Sequence, residues 1–141
     1  MNSYRQLVLP NLYIEDQSGF SLRHVQTCFG APVKHSFAWD AWEATEHKHP
    51  MEELPNAYVP VWFSSVVFNR DPIDTFNQGH VLLWDPITQS LIGTPMQGYG
   101  QRSYTLEMVK QHSGGTTQYV GWSEDLNGLR IVKKELKLVS S

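Results

Sequence analysis

The chain is poor in several things, and each shortage narrows what it can be. One cysteine, Cys28, stands among 141 residues, so no internal disulfide framework holds the fold, as expected of a protein made in a reducing compartment. No apolar run approaches the length of a membrane span. The longest, "YVPVWFSSVVF", is interrupted by Pro60, Ser64 and Ser65. Charge is balanced, with 11 Lys and Arg against 14 Asp and Glu, and the net of -3 comes without a basic tract. Binding of nucleic acid through a cationic patch is therefore not expected. The opening "MNSYRQLVLPNLY" lacks the basic, apolar and small-residue succession of a secretory leader. Internal repeats, low-complexity tracts and linkers are also missing, which predicts a single domain over residues 1–141.

What is present is an ordinary globular composition, 40% hydrophobic and 12% aromatic. Residues 1–17 read as an extended lead-in broken by Pro10. From Ser18 onward Leu22, Val25 and Phe29 recur at helical spacing, with Ser18 as N-cap and Gly30 as the stop. A second helix fits "SFAWDAWEATEH", where Phe37, Ala38, Ala41, Trp42 and Thr45 share a face and Asp40, Glu43 and Glu46 point outward. Beyond "HPMEELPN" the chain turns β-branched and aromatic. "AYVPVWF", "SSVVF", "GHVLLWD" and "SLIGTP" read as strands, the last two forming a hairpin around "PITQ". The tail "TQYVGWSEDLNGLRIVKKEL" offers two more strands with turn chemistry in "DLNG". Helices first and about five strands after predict an α+β domain, helices packed on one antiparallel sheet.

Three features carry candidate chemistry. Ser21 stands at a helix start, where unpaired N–H groups and the helix dipole favour negative charge, lower a thiol pKa and help hold an oxyanion. Read alone, Ser21 is a helix-capping residue. Cys28, seven residues on and aligned with Leu22, Val25 and Phe29, reads as a buried small hydrophobe. His80 opens the otherwise apolar strand "GHVLLWD", and Gly79 before it permits close approach of another group to the backbone. Trp62, in "VPVWF", is either core or the wall of a groove beside His80. The remaining histidines, His24, His35, His47, His49 and His112, lie among polar residues without metal-ligand spacing. "HKH" at 47–49 with Glu52 and Glu53 reads as a solvated loop rather than a metal site. No cofactor or metal is expected. A nucleophile position on an early helix followed by a histidine heading a strand is also the layout of papain-like hydrolases, in which a third polar group orients the imidazole.

"GFSLRHVQTCFGAP", "FAWDAWEATEHKH", "VPVWF", "GHVLLWDP" and "YVGWSEDLNGLRIV", in this order, resemble the papain-like, CHAP-type peptidoglycan hydrolase domains of phage endolysins and tail-associated lysins. The resemblance spans residues 18–132 and implies a papain-like core. It implies catalytic positions at Ser21 and His80, with Thr94 as the orienting group and Asp85 or Gln118 as weaker candidates. Strand alternation sets Asp85 on the face opposite His80. Gly79 and Trp62 would then lie along bound substrate. The sequence departs from the family at one telling place: serine occupies the position of the nucleophilic cysteine, while Gly19, Leu22, Phe29 and Gly30 are kept.

In the cysteine form the resemblance implies amidase or endopeptidase cleavage of an amide in peptidoglycan. As written the chain is expected to be nearly inert. Ser21 is open to three accounts: a deliberate Cys→Ser replacement, natural loss of the thiol, or a serine nucleophile. The alternative function is a non-catalytic virion or tail component that grips cell wall through the same fold. The implied partners are bacterial peptidoglycan and other phage components, without membrane insertion. The implied location is the host cytoplasm until release to the wall, or the virion.

Overall fold

The computed structural model describes residues 3–14, 21–68, 75–93, 103–105 and 117–135. Its centre is β3 (Val59–Phe68), one ten-residue strand where the sequence suggested two. Ser64 and Ser65 do not break it. Both pair with the opposing strand β8 (Thr117–Ser123), and the irregularity falls instead as a register shift between Trp62 and Phe63. On its other side β3 pairs antiparallel with β5 (His80–Asp85), from Val59 opposite Trp84 to Phe63 opposite His80.

The sheet is completed by short strands: β2 (Lys48–Pro50) on β8, β4 (Thr75–Asn77) on β3, β6 (Ser90–Ile92) on β5 and β7 (Ser103–Tyr104) on β6. The order is β2-β8-β3-β5-β6-β7, with β4 pairing β3 off this path. Two small ladders stand beside it. β1 (Tyr4–Gln6) pairs with β11 (Val132–Lys134), and β9 (Asp125–Leu126) pairs with β10 (Leu129–Arg130). The expected hairpin around "PITQ" is β5–β6. Asp85 Oδ1 organises its turn by accepting the N–H groups of Ile87 at 2.9 Å and Thr88 at 3.3 Å. The expected "DLNG" turn joins β9 to β10, with Asn127 and Gly128 both at positive φ.

Two helices precede the sheet. α1 runs Ser21–Phe29 and ends in a Schellman arrangement, in which Ala31 N–H reaches Gln26 O and Gly30 N–H reaches Thr27 O. Gly30 carries the left-handed φ of 70° that this ending needs. α2 is shorter than its pattern predicts, Ala38–Ala44. Thr45 closes it by donating its hydroxyl to Trp42 O, and the Asp125 carboxylate then takes the N–H groups of Glu46 and His47, both at 3.0 Å. That tertiary capture turns the chain out of the helix and into β2. Ala38, Ala41, Trp42 and Thr45 are buried as expected, whereas Phe37 is exposed.

The ladder fixes which side chains share a face. Pro60, Trp62, Val81 and Leu83 lie on one side of the sheet, where Trp42 of α2 meets Trp62 with ring centres 6.0 Å apart. Val59, Val61, Phe63, Leu82 and Trp84 lie on the other, with Trp122 and Tyr119 of β8. This second side is covered by the segment after β2, pinned by three ring donors. Tyr119 Oη donates to Glu52 O at 2.7 Å, Trp122 Nε1 to Glu53 O at 2.9 Å and Trp84 Nε1 to Pro55 O at 2.8 Å. Both faces of β3 over residues 59–63 and of β5 over residues 81–85 are thus dry, which is why these stretches read as continuous apolar runs. Among the described residues no helix is long and apolar enough to cross a membrane.

Candidate functional site

Ser21 is the first described residue of α1. His80 is the first residue of β5. The ladder from β6 reaches only Leu83, Trp84 and Asp85, and the start of β5 extends past it. There α1 comes alongside: Val81 N–H donates to Ser21 Oγ at 3.4 Å. A long bond of this kind is weak, but it fixes position. It sets the helix-start hydroxyl one residue along the backbone from His80, although the two are 59 positions apart in the chain. Both residues are half-buried. His80 lies opposite Phe63 across the ladder, with ring centres 6.5 Å apart.

The other expected site residues fare differently. Trp62 is 1% exposed, packs on Trp42 and donates Nε1–H to Ser123 Oγ at 2.8 Å; Ser123 passes the bond on to Asp125 O at 2.8 Å. It is a core residue tied into the Asp125 cap and cannot touch substrate. That corrects its reading as a groove wall. Gly79 does accept a close approach, but from the protein itself. A Cβ built there would sit 2.4 Å from Trp39 N and 2.9 Å from Trp39 Cα, so the start of α2 stands directly on this residue. Trp39 N–H bonds to Gln78 O at 3.0 Å beside it. Its substrate-binding role is replaced by a packing one.

Thr94 lies outside the described residues. Asp85 is buried on the face opposite His80 and spends an oxygen on its own turn. Gln118 is exposed on β8. Cys28 is buried as expected. His24 corrects the expectation of polar surroundings, because it is 1% exposed, with Nε2 at 3.2 Å from Ile14 O and 3.7 Å from Cys28 Sγ. The signal was there to read. His24 precedes Cys28 by four residues, so a buried Cys28 carries His24 to the same face of α1.

A second polar assembly was missed altogether. His49, expected in a solvated loop, is the middle residue of β2 and stacks on Trp122, with centres 3.8 Å apart and planes 3° from parallel. Tyr4 meets both rings edge-on. His49 Nδ1 lies 2.9 Å from Glu52 Oε2, and its Nε2 lies 2.7 Å from Glu124 Oε2. Glu124 also holds Arg130, whose Nη1 donates to His47 Nε2 at 3.1 Å. Burial alone pushes the Glu124 carboxyl up. The hydrogen bonds and charges of His49 and Arg130 outweigh it and leave the carboxyl below its ordinary value. Among the described residues no three His, Cys, Asp or Glu side chains form a metal-binding group. Set beside models of known families, curated proteins and solved structures, the chain matches none of them.

Proposed function

We propose that this chain is a papain-like cell-wall hydrolase domain of the phage lysin type, in which Ser21 holds the place of the nucleophilic cysteine. The observation that supports the reading is the 3.4 Å contact between Ser21 Oγ and the N–H of Val81, which puts the Ser21 side chain against the backbone of the strand that His80 opens. A cysteine at position 21 would have its thiolate stabilised by the helix N-terminus, with His80 as proton acceptor. The thiolate adds to the carbonyl carbon of a wall-peptide amide. The oxyanion that forms is held by the N–H of residue 21 and a second donor. His80 then delivers its proton to the departing amine, and water hydrolyses the thioester. A serine hydroxyl ionises far less readily than a thiol, so this chain has the site and not the reactivity.

The test is clearing of susceptible cell-wall suspensions by the Ser21→Cys protein. Clearing by Ser21→Cys, and none by the present chain or by Ser21→Cys combined with His80→Ala, is the expected result. Failure of Ser21→Cys to clear any of several wall types overturns the reading. The serine itself favours a second reading, a wall-binding module without catalysis. That reading predicts sedimentation of the present chain with purified wall, and no cleavage after Ser21→Cys.

A further inference from the structure

A polar cleft of about 330 Å³ opens between the segment after α1, the end of α2 and the β9–β10 turn, lined by Lys34, His35, Glu46, His47, Asn127 and Arg130 among others. Ser21 opens α1 and Lys34 follows its far end, so a nine-residue helix, about 13 Å long, separates this cleft from the Ser21–His80 pair. Most of the charges around it are already committed. Arg130 is held by Glu124, and both Asp125 oxygens accept backbone N–H groups. Two opposite charges remain without a side-chain partner among the described residues: the Lys34 ammonium, which lies over the bare Cα of Gly128, and the Glu46 carboxylate.

The neutral groups add to this pattern. His47 Nε2 accepts from Arg130, which leaves the His47 proton on Nδ1 and makes that nitrogen a donor. Asn127 is 5% exposed. Its Nδ2 donates to Pro32 O, while its Oδ1 is buried and without a hydrogen-bond partner among the described residues. A buried acceptor in that condition is costly. The lining therefore asks for one anionic group, one cationic donor and little else.

We infer that this cleft binds a zwitterion of amino-acid or dipeptide size, its carboxylate on Lys34 and His47 and its ammonium toward Glu46. The volume is at the small end of ligand sites. The inference stands whether or not position 21 does chemistry. The test is a titration of the nitrogen-15-labelled full chain with L-alanyl-L-alanine, followed by amide shifts at Glu46, His47, Asn127 and Gly128. Saturable shifts with a millimolar-range Kd are expected. N-acetylated dipeptide and dipeptide amide, each lacking one charge, bind about tenfold more weakly or worse, as do the Lys34→Gln and Glu46→Gln proteins toward the free dipeptide. Both side chains are exposed, so neither change threatens the fold, and unchanged shifts elsewhere verify this. Absence of shifts in the cleft overturns the inference, as does equal binding of the acetylated dipeptide. Inorganic phosphate matching alanyl-alanine in affinity also overturns it, since the cleft would then be a plain anion site.

Discussion

Gly79→Ala is the substitution that most directly tests how α2 is seated. Gly79 has φ of 72°, and adding a Cβ there meets the backbone N of Trp39 at 2.4 Å, not the yielding end of a side chain. The left-handed conformation costs an alanine about 1–2 kcal/mol. Displacing the first turn of α2 also loosens the Trp39 N–H bond to Gln78 O, worth about 1 kcal/mol. The sum is about 2–3 kcal/mol. A chain of 141 residues unfolds with an entropy of about 0.3 kcal/mol/K, so Tm falls by about 7–10 °C. Gly30→Ala is the internal control. Its φ is 70°, nearly the same, but a Cβ there has nothing within 4 Å. It should lose only the conformational part, about 3–7 °C, and the reduced freedom of the unfolded chain affects both variants alike. Thermal melts followed by far-ultraviolet circular dichroism give both numbers. Equal losses in the two variants would refute the reasoning, because the contact with α2 would then contribute nothing.

Other outcomes follow from the same contacts. Burial first, and then the Glu52 charge, push the Tyr119 phenol up to about 12, so its folded-state pKa exceeds that of the unfolded chain. The stability it contributes is complete below pH 10 and is lost as pH rises from about 10 to 12, an alkaline limb that Tyr119→Phe should flatten in denaturant titrations. Glu124 has the opposite sign. Its carboxyl is depressed, so its contribution is present above the ordinary carboxylate value and disappears as pH falls through the folded one. Glu124→Gln should cost about 1–3 kcal/mol at neutral pH and weaken the acid dependence of urea midpoints. Trp62→Phe removes the donor to Ser123 and leaves a void, and should cost about 2–3 kcal/mol in equilibrium unfolding; a loss below half a kcal/mol contradicts its place in the core. Cys28 should react with a thiol reagent only at the rate of unfolding, and prompt labelling of the native protein would contradict its burial.

The α+β class was legible because its signals are local. The spacing of Leu22, Val25 and Phe29, the Asn127-Gly128 turn and the alternation that turns Asp85 away from His80 all lie within a few residues of chain. What escaped was decided at long range. The end of α2 is set by Asp125, about 80 residues downstream, whose carboxylate takes the helix's next two amides. Trp62 gave no sign of which face it occupied, because both faces of β3 are covered and an apolar run reads alike on either. His49 looked like a loop residue since its partners, Glu124 and Trp122, are distant in sequence. The contact between the Val81 N–H and Ser21 Oγ is also made across a long stretch of chain, by packing of α1 beside β5.

One consequence of β2 concerns how molecules of this protein meet each other. Among the described residues it is the outermost strand beside β8, and an outer strand presents unpaired backbone groups that another chain can use as a template. Here that exposed side is only three residues long. Pro50 offers no N–H, Lys48 brings charge, and Met51, at φ of 57°, turns the chain away before a fourth residue can extend the strand. A sheet this rich in valine, tryptophan and leucine therefore ends in a border unsuited to strand-to-strand stacking. The same three residues that carry His49 to its carboxylates also leave this edge little for a second chain to pair with.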